Sequence, residues 1–341
     1  MKLATYRCGD DLRIGSVLDG EKRILDLAGA ARADGRDDGI FSNMLDLIDA
    51  GPNGLERAAD IQDGYGSEVG LTLAIDEIEL MAPLPVPRQM RDFTVFPGHI
   101  RQAPIGMQKL QARMAGKPAP NLAAPEDINP VYRAQPIYYL TNRFSVAGPN
   151  ATVVWPSYSH YMDFELELAV VLGRTGQNIS AADASNYIFG YTIYNDFSAR
   201  DTQVIEMQGF LGPAKGKSFD GGNVIGPWIV TPDEIPDPHD LDMSARVNGE
   251  TWSRGSTKDM LHTFEEMIEF VSRDETLHAG EIFGSGTVGG GCGLELDRYL
   301  ESGDTVELEI EHVGLLRNIV VQSADETLAV ETPRTSRRAT M

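Results

Sequence analysis

From Met162 to Gly173 the chain reads MDFELELAVVLG, and its polar and apolar positions alternate with a period of two. Asp163, Glu165 and Glu167 fall on one face of the strand this predicts, and Phe164, Leu166 and Leu168 on the other. The acidic parity runs on into Ala169 and Val171, so the carboxylates merge with an apolar face. This predicts acids aimed into a partly buried space. A half-solvated strand with an acidic outer face is the other arrangement the alternation allows. Adjacent buried carboxylates repel one another unless a cation lies between them, and an all-oxygen set suits a hard ion such as Mg²⁺, Mn²⁺ or Ca²⁺.

Elsewhere the pattern predicts many short strands and few helices. Residues 1–80 read as a small module: strand runs LATYRCG, LRIGSVLDG and KRILDLA, then helical spacing over NMLDLIDAGPNGLERAADIQ, broken at GPNG. Prolines 83, 85 and 87 make an extended connector into residues 81–330. His99 falls in a loop after a Pro-Gly turn, and residues 102–129 hold one short helix within an insertion that is either a lid or a surface excursion. Ser180 is placed as an N-cap, and an aromatic strand run ends at Asn195 and Asp196. Asp196, Arg200 and Gln203 are at helical spacing, so one turn presents all three, or Arg200 simply pairs with Asp196. An Asn-Gly hairpin turn follows at 248–249, and HTFEEMIEFVS is the best amphipathic helix, with Phe264, Met267, Ile268 and Val271 inward. Seven glycines between Gly284 and Gly303 let backbone approach a ligand closely, or make the loop merely flexible. A closing hairpin over 303–321 precedes a polar tail, 331–341. The short, turn-rich strands favour an α+β, mainly β fold over a doubly wound sheet.

Composition narrows the function. The 341 residues carry a formal net charge of −22, which argues against nucleic acid and anionic membrane as partners. The N-terminus lacks the apolar core of a signal peptide, and no apolar run is long enough to span a bilayer, so a cytoplasmic protein is expected. Cys8 and Cys292 offer neither a disulfide framework nor zinc-finger spacing. The lysine pair in GPAKGKSF lacks the spacing of a phosphate-binding loop.

Six segments, DFELELAVVLG, GYTIYNDFSARDTQ, GPAKGKSF, GPWIV, VNGE and GDTVELEIEHVGLLRN, occur in an order that resembles the fumarylacetoacetate hydrolase family over about residues 83–322. The resemblance implies a mixed β-roll catalytic domain, a smaller N-terminal domain and a homodimer. It implies Asp92, Glu165, Glu167 and Asp196 as ligands of a divalent cation, Mg²⁺ foremost. It makes His99 the general base and Glu295 its orienting partner. Arg200, Gln203 and Lys217 hold substrate and developing charge, and Thr287 joins them. At two positions where the founding hydrolase offers tyrosines to substrate, this chain has Thr94 and Met207, and a common threonine after the lysine is Gly221. These changes predict a preference for 1,3-diketo acids with a neutral or apolar acyl arm, unless Arg101, Arg113 or Arg133 supplies a new carboxylate clamp.

The activity implied is metal-dependent hydrolysis of a carbon–carbon bond in an acylpyruvate or fumarylacetoacetate-like acid, as in aromatic catabolism. Hydratase, dehydratase, decarboxylase or keto–enol isomerase chemistry on a 2-oxo acid would use the same scaffold. A non-catalytic metal- or ligand-binding module is the reading from a different class.

Overall fold

The computed structural model describes residues 1–323; the polar tail expected at 331–341 lies outside the described residues. The architecture is α+β, two large mixed sheets and a two-stranded one with helices, and among the described residues the largest sheet is open rather than closed into a barrel.

Twelve strands make the large sheet, and five, from Glu250–Ser256 to Thr152–Trp155, make the smaller one. Between them lies one apolar core. The strand Leu166–Leu172 contributes Leu166, Leu168, Val170 and Leu172 to it, and the smaller sheet contributes Met243, Ala245, Val306 and Leu308. The helix Phe264–Ser272 closes the core with Phe264, Met267, Ile268 and Val271, the inward stripe its spacing predicts. A reciprocal capping box between Thr263 and Glu266 starts that helix.

Ala169 and Val171 enter a second core on the opposite face of the large sheet. There they meet Leu27, Leu47, Ile48 and Ile61 from the helices Leu27–Ala33, Met44–Asp49 and Gly51–Tyr65. The central strand is therefore buried on both faces, and its one carboxylate, Glu167, and Glu165 just before it are buried in protein. Residues 1–80 bring their own helices, yet their strand Lys2–Cys8 pairs with Asn223–Val230 and extends the same sheet.

Two local expectations are corrected. His99 lies on the first turn of a long helix, Pro97–Met114, and not in a loop. Pro97 occupies the start of that helix, where its missing N–H costs nothing, so Pro-Gly here begins a helix. Asp196, Arg200 and Gln203 do not share one turn: Asp196 ends the strand Ile188–Asp196, and the helix Arg200–Glu206 begins after it. The Asn248-Gly249 hairpin is present, with both residues at positive φ.

Candidate active site

Strand register assembles the site. Leu166 stands opposite Asn195, so Glu167 and Asp196 arrive from neighbouring strands. Ala169 stands opposite Gly284, and Gly284 in turn opposite Asp92 in the strand Met90–Phe93, so Asp92 comes from two strands away. Gly284 has to be glycine. A Cβ there would lie 2.7 Å from Asp92 Oδ1 and 2.9 Å from Glu167 Oε2, the space the carboxylates use to meet. One oxygen from each of Asp92, Glu165, Glu167 and Asp196 lies within 4.8 Å of the others, and all four residues are buried.

Two internal cations serve this cluster. Lys217 Nζ donates to Glu165 Oε2 and Asp196 Oδ2, both at 2.6 Å. Arg200 Nη2 lies 2.7 Å from Glu165 Oε1, while its Nε donates to Asp163 Oδ2 at 2.8 Å. Burial alone would raise the Glu165 carboxyl, but Lys217 and Arg200 outweigh it and hold it well below the usual range. Asp92 and Glu167 lack such partners. Burial first, and the neighbouring carboxylates next, push both well above the usual range. Asp196 is raised by burial and by Glu165 against the pull of Lys217. Five buried carboxylates, Asp163 included, thus face two buried cations. Asp92 Oδ1 and Asp196 Oδ1 are buried without a hydrogen-bond partner. Orphaned anionic oxygens of this kind are costly, and a hard divalent cation satisfies them. The residues present fit such an ion.

Beside the cluster, His99 Nδ1 lies 2.8 Å from Glu295 Oε1. Glu295 sits on the single turn Gly293–Leu296, and the Gly290 N–H donates to its other oxygen at 2.9 Å. With a carboxylate at Nδ1, that nitrogen carries the proton and Nε2 keeps its lone pair.

Three carboxylates of the cluster and the histidine of the dyad line one cavity of about 440 Å³, while Asp196 and Glu295 are not on its wall. Asp92, Glu165, Glu167, His99, Lys217, Gln203, Thr94, Met207 and Thr287 all line it. Gln203 Oε1 accepts from Arg200 Nη1, which leaves its amide NH₂ as the donor for the cavity. Thr287 Oγ1 reaches Glu167 Oε1 at 3.5 Å, and the Gly286 N–H supports Glu167 Oε2 at 3.1 Å. Arg200 is brought to the cluster but not to the cavity wall; it stands behind Glu165, fully buried. None of Arg101, Arg113 and Arg133 lines the cavity: they engage the Pro97 carbonyl, Asp297 and Asp127.

Sequence reasoning missed Tyr139, which lines the cavity and whose hydroxyl donates to Asp196 Oδ2. Its register opposite Asp92 places it there, and no pattern in the run QPIYYL announces it. Tyr132 and Tyr138 line the same cavity, so phenols reach it from a different stretch than Thr94 and Met207.

The fumarylacetoacetate (FAA) hydrolase C-terminal family model matches residues 112–321. The chain belongs to the fumarylacetoacetate hydrolase family. Asp92, Thr94 and His99 precede the matched segment. The chain is 32% identical over 324 residues to oxaloacetate tautomerase YisK of Bacillus subtilis, covering 93% of this chain and 99% of that one. It is 39% identical over 187 residues to a mitochondrial oxaloacetate tautomerase of Rattus norvegicus, covering 54% of this chain and 59% of the rat protein. The fold superposes on maleylpyruvate hydrolase of Sphingobium sp. SYK-6 with a TM-score of 0.69 at 25% identity, over 95% of this chain and all of that one. Family members are enzymes, hydrolases and tautomerases among them. No helix among the described residues is long and apolar enough to cross a membrane.

Proposed function

We propose that the chain is a divalent-cation-dependent hydrolase that cleaves a carbon–carbon bond in a 1,3-diketo acid of the acylpyruvate type. The observation that carries this reading is His99, held by Glu295, on the wall of the cavity that Asp92, Glu165 and Glu167 of the four-carboxylate cluster also line. Those four carboxylates would hold the cation, which would supply Lewis acidity toward the oxygens of the 2-oxo acid and lower the energy of its enolate.

His99 Nε2 takes a proton from water, and Glu295 stabilises the resulting imidazolium through Nδ1. The hydroxide adds to the distal acyl carbon. Lys217 Nζ and the Gln203 amide are donors on the wall for the oxyanion. As the C–C bond breaks, its electron pair passes to the pyruvyl carbon, and His99 returns the proton there. Water is consumed, and a carboxylic acid and a 2-oxo acid leave. The wall beyond the dyad is mostly apolar, with Phe93, Ile100, Met107, Ile137, Met207 and Pro213, which suits an uncharged acyl arm.

A second reading is keto–enol tautomerisation of a small 2-oxo acid. The similarity to the Bacillus subtilis tautomerase across 93% of this chain favours it. His99 would then move a proton to and from carbon, and no water would add. Enol absorbance under both readings, followed together with product analysis, separates them. Hydrolysis yields equal amounts of pyruvate and carboxylic acid from an acylpyruvate. If enol and keto forms only interconvert, with no cleavage product, the hydrolase reading fails.

A further inference from the structure

Asp163 opens the acidic alternation but is not part of the four-carboxylate cluster. It is fully buried, and each of its oxygens accepts two hydrogen bonds. Oδ1 takes the N–H of Gly293 at 2.7 Å and that of its neighbour Phe164 at 2.9 Å. Oδ2 takes the Leu294 N–H at 2.8 Å and Arg200 Nε at 2.8 Å.

These partners lead in two directions. Gly293 and Leu294 immediately precede Glu295 on its single helical turn. Gly293 is held so close that a Cβ there would sit 2.6 Å from Asp163 Oδ1 and 2.1 Å from the Arg298 carbonyl oxygen. Arg200, in the other direction, spends its remaining nitrogens on Glu165 at 2.7 Å and on Gln203 Oε1 at 2.8 Å. We propose that Asp163 is a positioning residue: one carboxylate fixes the turn that carries Glu295 and, through Arg200, the places of Glu165 and Gln203, so that dyad and cluster are set in one frame. The catalytic meaning rests on the function proposed above, but the positioning of His99 through Glu295 does not depend on the substrate.

Four donors require four acceptor sites, which only an ionised carboxylate supplies at this size. Asparagine would turn an NH₂ toward either Arg200 Nε and the Leu294 N–H, or the amides of Gly293 and Phe164. The turn carrying Glu295 would then shift, and the His99–Glu295 bond would lengthen.

The test is a double-mutant cycle of D163N, E295Q and D163N/E295Q in the full chain with Mn²⁺ present. The first readout is kcat and KM on an acylpyruvate. The second needs no substrate: the rate at which His99, its side chain 15% exposed, is acylated by diethyl pyrocarbonate, read by peptide mass spectrometry. D163N is expected to lower kcat by about 10–100-fold, the usual effect of removing an orienting partner, with a smaller change in KM. It should change the His99 acylation rate by the same factor as E295Q, and the double variant should be no worse than E295Q alone. D163E, which keeps the charge but displaces both oxygens, enters the same cycle if D163N does not fold. Multiplying losses, or an unchanged His99 acylation rate in a folded Asp163 variant, overturns the proposal. Absence of turnover in the wild type would count against the hydrolase reading alone, because the acylation readout still decides the role of Asp163.

Discussion

Lys217→Met tests the electrostatics of the site most sharply. The lysine is fully buried, and its ammonium lies 2.6 Å from carboxylate oxygens of both Glu165 and Asp196. Methionine keeps most of the stem and removes the charge. Breaking a buried pair by deleting one partner costs about 3–5 kcal/mol. A ceiling follows from protonation, because the stranded carboxyl can take a proton instead. For a group with an ordinary pKa near 4, that uptake costs ~4 kcal/mol at pH 7 and ~2 kcal/mol at pH 5.5. In the variant, the carboxyl has a folded pKa raised above its unfolded value. Its stability is therefore intact at acid pH and lost as pH rises through the folded pKa. The deficit against wild type should grow from pH 5.5 to 7.5 by roughly 1.4 kcal/mol per unit for each proton taken up. Urea unfolding in EDTA at both pH values measures it, and saturating Mn²⁺ should narrow the gap at pH 7.5. A deficit equal at both pH values would mean that Lys217 contributes packing only.

Other outcomes follow from the same geometry. Glu165→Gln with Glu167→Gln should abolish the rise in thermal stability that Mg²⁺ or Mn²⁺ gives the wild type; an unchanged rise would remove the cluster from metal binding. Wild-type stabilisation by cation should itself be larger at pH 8 than at pH 5.5, because Asp92, Glu167 and Asp196 have raised pKa values and their repulsion grows as they ionise. Thermal scans with and without Mn²⁺ at both pH values check this. His99→Ala should lower kcat by roughly 10²–10⁴-fold while Mn²⁺ binding by calorimetry persists. Acylpyruvates with an alkyl arm should exceed fumarylacetoacetate in kcat/KM by about tenfold or more, since among the described residues no arginine lines the cavity to pair a distal carboxylate. Equal turnover would show that Tyr132 and Tyr138 replace the missing hydroxyls.

The acidic strand was legible because side-chain direction on a strand has period two, and both cores bear it out: the even positions from Leu166 enter one and the odd positions from Ala169 the other. The helix at 264–272 was legible from its stripe, and the hairpin at 248–249 from Asn-Gly. Pairings set by register were not. Glu295 lies 196 residues from His99, and only the family resemblance joined them. Tyr139 owes its place to standing opposite Asp92, and no local pattern encodes that. Arg200 reads as a partner for Asp196 at helical spacing, but the strand runs through Asp196 and the guanidinium turns to Asp163 and Glu165 instead. Pro97-Gly98 reads as a turn from the sequence, but Pro97 occupies the first turn of the observed helix.

The central claim is that dyad and carboxylate cluster act on one substrate in a cation-dependent cleavage. Incubation of an alkyl acylpyruvate with the EDTA-treated protein, before and after Mn²⁺ is restored, tests it most directly. No reaction is expected in EDTA. With Mn²⁺, enol absorbance should be lost with one pyruvate and one carboxylic acid formed per substrate consumed. Cation-independent cleavage would contradict a cation-dependent hydrolase. So would an intact acylpyruvate beside accelerated keto–enol exchange of oxaloacetate, which would establish the tautomerase reading in its place.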